Sequence, residues 1–382
     1  MLNKSYIVLL KSIVLGFSIF CLKSELRSQC PTDNILLQTQ AQVDSFRFNY
    51  PNCTEILTGM AIHIRGLDIH NLHGLSVLKK IYGLKIDGTS IVNLDSLQNT
   101  TEFADIIISN NQLLTNISAI GHITKLRFSF DLINNDAMVD LAGLSFDTLG
   151  YCHIKNNDAL VSLHGLENLT NLTYRLEITS NPSLRDLKVL RNLISVDSEL
   201  KIIDNDRIKN LEGLENLMHI GYLIYIMHND SLQSLAGVNH IGILDQRLEA
   251  FIISHNHQLD SCHVEAMCEF ITSGQIVGIG GNAQGCNSVD EVWELCMAVG
   301  ADEPGSEADI IVYPNPTHGR IFVNHSDLVN LDNLTIYNSQ GMEVFKANQH
   351  VGPIDITHMP NGLYILKFSL NGSIKVSSVV KL

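Results

Sequence analysis

The 382-residue chain is 45% apolar and 17% charged, which excludes a disordered polymer and supplies enough apolar material for a sizeable core. Its formal charge is −15, and the acid excess is concentrated: residues 1–29 hold four bases and one acid, residues 310–382 five bases and four acids, leaving 16 bases and 35 acids between them. A middle section that acidic repels phosphate backbones and argues against nucleic-acid binding.

Residues 1–29 read as an export signal. Lys4 supplies the positive start, and Ile13–Leu22 supplies an apolar run too short to span a bilayer. No other segment reaches spanning length, so no transmembrane segment is expected in the mature chain. Cleavage is expected between Glu25 and Cys30; a lipoprotein reading at Cys21 is disfavoured by the bulky Phe20 before it. Six further cysteines bracket the middle section: Cys30 and Cys53 before it, and Cys262, Cys268, Cys286 and Cys296 after it. In an exported chain these read as disulfide staples, and the paired CxxC spacing of a zinc site is missing. Four C-terminal cysteines allow three pairings, and the spacing does not choose among them.

Between the cysteines runs a countable repeat. Asn111, Asn135, Asn157, Asn181, Asn205, Asn229 and Asn256 recur at spacings of 24, 22, 24, 24, 24 and 27 residues. The positions three and five before each Asn are apolar without exception, as in Ile178 and Leu176 or Ile226 and Ile224. That alternation predicts a short strand with one buried face in every unit. Apolar pairs follow each Asn, as in Leu160 and Leu163, and Gly-Leu or Gly-Val pairs recur at Gly143, Gly165, Gly213 and Gly237. Two degenerate units precede these, through Ile62, Ile64 and Leu75, then Ile86, Ile91 and Leu97. One unit of this size cannot enclose a core, so units must stack and bury one another's Leu and Ile. An inward Asn is costly unless bonded, and a column of them can satisfy backbone groups of two adjacent turns. The asparagines therefore read as structural, and Cys152, at an inward strand position, as a buried thiol.

The stretches Leu176-Glu-Ile-Thr-Ser-Asn181-Pro-Ser-Leu184 and Leu200-Lys-Ile-Ile-Asp-Asn205-Asp-Arg-Ile208 resemble the receptor L domain, a leucine-rich architecture. The resemblance covers about residues 30–300 and implies a mainly β fold, a right-handed solenoid with disulfide caps over residues 30–299. Phe48-Asn-Tyr-Pro-Asn-Cys53-Thr-Glu-Ile56 resembles that family's N-terminal cap, which would run from Cys30 to Cys53 with the two joined to each other. Cys262 through Cys296 would close the other end, with a short amphipathic helix around Asp290–Met297.

Residues 300–309 are acidic and lack hydrophobic period, so they read as a linker. Beyond them, alternating segments at 310–313, 320–324, 334–337, 343–346, 362–369 and 375–381, divided by Pro, Asn and Gly turns, predict a small β-sandwich. Tyr313-Pro-Asn-Pro316, Leu334-Thr-Ile-Tyr-Asn-Ser-Gln-Gly341, Pro360-Asn-Gly-Leu-Tyr-Ile365 and the terminal Lys375–Lys381 resemble the type IX secretion sorting domain of Bacteroidetes. That resemblance implies an Ig-like unit over residues 310–382, engagement of the type IX secretion machinery, and delivery to the outer surface or the medium.

No catalytic constellation is found: the chain has no nucleophile elbow, P-loop or zincin motif. Gly278-Ile-Gly-Gly281 sits beside cysteines without the following helix that a phosphate loop needs. Asp204, His228 and His255 share one phase beside the Asn column, too few ligands for a metal site, and no cofactor is expected. In each strand the residues four and two before the Asn should face outward, from Ile107 and Ser109 to Ile252 and Ser254. Among these, Ile203, Tyr225, Met227 and Ile252 would make one apolar-aromatic patch, the candidate ligand surface for a protein or glycan. A non-enzymatic recognition or adhesion role is expected; the alternatives are a structural spacer without specific ligand, and a hydrolase with a dispersed site.

Overall fold

The computed structural model describes residues 30–239, 241, 248–272, 276–299, 311–313, 315, 317, 319–324, 331–348, 354–370 and 373–381. The expected export signal and linker lie outside the described residues. The fold is mainly β, with 40% strand and 12% helix, and the chain folds as two compact units, through Met297 and from Ala298 onward.

In the first unit, thirteen strands form one parallel sheet: β1 (Ile35–Leu37), β2 (Glu55–Gly66), β3 (Lys80–Thr89), β4 (Glu102–Ser109), β5 (Lys125–Ile133), β6 (Thr148–Lys155), β7 (Asn171–Thr179), β8 (Ser195–Val196), β9 (Glu199–Ile203), β10 (His219–Ile220), β11 (Leu223–Met227), β12 (Ala250–Ser254) and β13 (Ile276–Gly280). Strands pair in chain order, with the short β8 and β10 forming a side branch on β7. Each strand buries alternate residues, so β9 and β11 hide Leu200, Ile202, Ile224 and Ile226 completely. The apolar pairs beyond each Asn, Leu160 and Leu163 among them, close the same core from the other side. Fully burying each such side chain contributes about 1.5–3 kcal/mol, a gain that exists only because the adjacent turn supplies the covering surface.

The turn chemistry follows from the same close stacking. Gly165 has φ +115°, and a Cβ there would lie 2.0 Å from the Leu141 carbonyl oxygen of the preceding turn. Only glycine fits both that backbone and that gap. The residue before each ladder Asn is left-handed: Asn110, Asn134, Asn156, Ser180, Asp204, His228 and His255 have φ between 53° and 59°. Asn, Asp and His tolerate this region better than other side chains. Asp204, His228 and His255 thus share a phase for a backbone reason. The rings of His228 and His255 stack at 4.7 Å.

Both ends of the core are covered. Helix α1 (Gln40–Asn49) starts at a reciprocal Thr39–Gln42 capping box and buries Val43 and Phe46. The Cys30–Cys53 disulfide brackets it. At the other end, α2 (Glu265–Thr272) sets Phe270 edge-on against Phe251 at 5.9 Å, and α3 (Val289–Val299) buries Val292. Disulfides join Cys262 to Cys286 and Cys268 to Cys296. Gly278-Ile-Gly-Gly281 belongs to β13 and the turn after it, paired with β12, so those glycines extend the sheet within the closing segment. None of the helices among the described residues is long and apolar enough to cross a membrane.

The second unit has two antiparallel sheets around its own core. One contains β14 (Ile311–Tyr313), β15 (Arg320–Asn324) and β18 (Ile354–Asp355); the other contains β16 (Leu331–Asn338), β17 (Glu343–Asn348), β19 (Gly362–Leu370) and β20 (Ser373–Lys381). Ile321, Leu334, Ile336, Ile354, Leu366, Phe368 and Val379 fill the space between them. The two-residue β18 was not expected from sequence; it is too short to display an alternation.

Candidate functional site

The asparagine column is continuous. Asn181 Nδ2 donates to the Thr179 carbonyl of its own turn at 3.1 Å and to the Ile154 carbonyl of the preceding one at 2.9 Å. Its Oδ1 accepts from the backbone N–H of Asn157 at 3.2 Å. The same pattern runs through Asn135, Asn205, Asn229 and Asn256, and Asn111 and Asn157 belong to it, all seven fully buried. Sequence reasoning missed both ends of this column. Asn282 Oδ1 accepts from Asn256 N–H at 2.9 Å, and Thr89 Oγ1 donates to Asn111 Oδ1 at 2.7 Å. The 26-residue step to Asn282 could have exposed the former; Thr89 is a different residue type and left no such signal.

The opposite face of the sheet carries three zones. Across β9, β11 and β12 lie the four residues singled out above: Ile203 pairs with Met227, and Tyr225 pairs with Ile252, all half-buried. Lys201 places its ammonium 5.2 Å from the Tyr225 ring centroid, and Gly278 flanks Ile252. Ser109, in register with Asp87 and Ile133 on the phase opposite the buried Ile106 and Ile108, is covered by its neighbours and donates to Asp87 Oδ1 at 3.0 Å.

The centre of this face is charged and largely self-paired. Lys155 meets Glu177 at 2.8 Å, Arg175 meets Glu199 at 2.9 Å, and Lys201 meets Glu199 at 2.8 Å. Burial opposes ionisation of Glu177 and Glu199. The hydrogen bond and charge of Lys155 at the first, and of Lys201 at the second, nevertheless hold both carboxyls below the usual range. Beside this zone the core side holds Cys152, free and fully buried, whose thiol is pushed far up by burial and by the charge of Asp131.

The third zone, toward β2, displays Tyr82, Phe128, Tyr151 and Tyr174. Phe128, Tyr151 and Tyr174 stand six or seven residues before a ladder Asn, and Tyr82 stands seven before Thr89, all outside the alternation used to predict outward positions. A recurrent aromatic at that offset was the available signal. Among the described residues, no group of three or more His, Cys, Asp or Glu is arranged to hold a metal ion.

In the second unit, the residues of the recurrent motifs lock onto one another. Asn315 donates to the Ser378 carbonyl and accepts from Val380 N–H, each at 2.9 Å, tying the Tyr313–Pro316 motif to the terminal strand. Tyr364 donates to the Pro360 carbonyl at 2.6 Å, and Lys381 reaches Asn361 Oδ1 at 3.0 Å. Asn338 Oδ1 accepts from Gln340 and Met342 N–H and shapes the turn before β17.

No curated protein matches the chain. Residues 311–381 match the family described as the secretion system C-terminal sorting domain. The chain therefore ends in a type IX sorting domain, and it is cargo that this system carries to the cell surface or extracellular space of a Bacteroidetes bacterium.

Proposed function

We propose that residues 30–299 are a leucine-rich solenoid of the receptor L-domain kind, joined by residues 300–309 to an Ig-like sorting unit, and that the solenoid is a non-enzymatic recognition or adhesion module. The observation that carries this reading is the patch of Ile203, Tyr225, Met227 and Ile252, adjacent in register and left half-exposed on a rigid sheet. Patches of apolar and Tyr side chains on exported scaffolds commonly take up a protein or glycan partner.

The test compares the full exported chain with a Tyr225→Asp, Met227→Asp double mutant on intact host and bacterial surfaces. Binding by the parent alone, with the mutant's circular dichroism unchanged, supports recognition through the patch. Equal binding moves the site elsewhere on the face. Binding by neither favours the second reading, a structural spacer, which the self-paired charges of Lys155, Glu177, Arg175, Glu199 and Lys201 favour because they leave little for a partner to complete. Turnover of peptide or glycan substrates would overturn the non-enzymatic assignment.

A further inference from the structure

We propose that the exposed sheet face holds a second binding site in its N-terminal half, shaped for a neutral hexose-based saccharide. The inference rests on the recognition reading and deepens it by naming a place and a ligand class.

A cleft of about 350 Å³ opens there across β2 to β6, lined by the rings of Tyr82, Phe128 and Tyr151, the small residues Gly59, Ala61 and Gly83, and the polar Asp105 and Ser129. Its volume falls in the lower part of the roughly 300–1,000 Å³ range of small-molecule sites. The cleft lies where strand register breaks. β2 and β3 slip between Ile56 and Ala61, β5 and β6 between Leu126 and Ser129, and β6 and β7 between Leu149 and Tyr151. Such irregularities re-aim side chains and recur beside functional sites. Here they turn aromatic rings outward while Ile81, Leu126 and Leu149 stay buried beneath.

The lining has the mixed character of a sugar platform. Tyr151 stacks on Tyr174 with centroids 4.6 Å apart and planes within 9°, so one face of Tyr151 is covered and the ring lines the cleft with the rest. Tyr82 and Phe128 meet edge to face at 5.9 Å and brace the other wall. Aromatic faces carry negative charge density and pack against the polarised C–H bonds of a pyranose ring. Asp105 supplies the polar contact. Its Oδ1 accepts from Ser129 N–H at 3.1 Å and Ser129 Oγ at 2.5 Å, and its Oδ2 has no hydrogen-bond partner among the described residues. That oxygen can accept a sugar hydroxyl, as can the phenolic oxygens of Tyr82 and Tyr151.

The charge balance selects among ligands. A carboxylate in an acidic domain repels uronic and sialic acids. The Arg127 guanidinium, 5.4 Å from the Phe128 ring centroid, already sets a positive charge against that ring and disfavours a cationic ligand there. An apolar side chain of a protein partner would strip water from Asp105 without replacing its hydrogen bonds, at a cost. A neutral ligand rich in hydroxyls and C–H faces satisfies all three constraints.

The experiment applies the full exported chain to an array of neutral hexose oligosaccharides and matched uronic-acid oligosaccharides. The expected result is binding to at least one neutral member and none to the acidic ones, weakened at least tenfold by Tyr151→Ala. Asp105→Asn keeps an oxygen for Ser129 and should fold normally, yet weaken binding several-fold. The Tyr225→Asp, Met227→Asp double mutant should bind these sugars like the parent. Absence of neutral-sugar binding, indifference to Tyr151→Ala and Asp105→Asn, or preference for acidic members overturns the proposal. If intact cell surfaces are bound while no neutral sugar is, the glycan site fails and the recognition reading survives. If neither is bound, both fail together.

Discussion

Asn181 and Asn157 stand on adjacent turns, and the side-chain oxygen of the later residue accepts the backbone N–H of the earlier one at 3.2 Å. Through the two further bonds of its amide, Asn181 holds backbone groups of both turns. Asn181→Ala would leave the Asn157 N–H without this partner and take one hydrogen bond from each of the Ile154 and Thr179 carbonyls, the latter keeping Asn156 N–H at 3.0 Å. Stability should drop by about 2–5 kcal/mol, because an orphaned buried N–H costs about 1–3 kcal/mol and each further lost hydrogen bond about 0.5–1.5 kcal/mol. Urea unfolding measures this. A loss below about 1 kcal/mol would mean that the column does not tie turns together.

The pairing of Glu177 with Lys155 predicts a pH dependence. The folded carboxyl titrates below its ordinary value of 4.5, so its contribution is intact above that pH and is lost as pH falls through the folded value. Glu177→Gln should flatten the stability loss below about pH 4.5 while leaving the curve near neutrality parallel to that of the parent. Denaturation midpoints across this interval check it, and an unchanged acid limb would remove Glu177 from the account.

Cysteine chemistry should be all or none. With Cys30, Cys53, Cys262, Cys268, Cys286 and Cys296 in disulfides and the Cys152 thiol buried, native protein should resist iodoacetamide. Once the signal segment with Cys21 has been cleaved, unfolding without reductant should release one reactive thiol, on the peptide carrying Cys152. Replacing Cys268 and Cys296 by Ser should cost about 2–4 kcal/mol, given the 28-residue separation they close. Recovery of a Cys262–Cys268 peptide pair would contradict the structure.

The sorting domain makes the cellular prediction. Deleting residues 311–381 should trap the protein on the periplasmic side of the outer membrane, with near-complete loss from the surface and the medium. Cell fractionation and immunoblotting read this directly. Undiminished delivery of the truncated chain would assign export to another segment.

Much of this molecule is legible along the chain because its contacts repeat at fixed separation. Residues such as Leu176, Ile178, Asn181 and Leu184 each meet their counterparts one turn away, so a constant spacing encodes burial, strand and hydrogen-bond column together. The terminal sorting unit is legible for a related reason: Asn315, Tyr364 and Asn361 make specific bonds to backbone or side chain that leave recognisable motifs.

Elements that break the period were not legible. The left-handed backbone at Asp204, His228 and His255 imitates a ligand set in sequence, yet it reflects the tolerance of those residues for positive φ. Thr89 and Asn282 end the Asn column where the unit changes length or residue type.

By itself, the sequence determined the stacked strands, the inward asparagines, the terminal sorting domain and the set of cysteines available for bridging, since each follows from local pattern or repeat. Only the tertiary structure decided the partners of Cys262, Cys268, Cys286 and Cys296, the self-pairing of the central charges, and the cleft lined by Tyr82, Phe128 and Tyr151. The disulfides depend on how the closing helices and loops pack, and the charge pairs on which strands are neighbours; the cleft depends on register slips, since a slip of one residue reverses which face a side chain occupies.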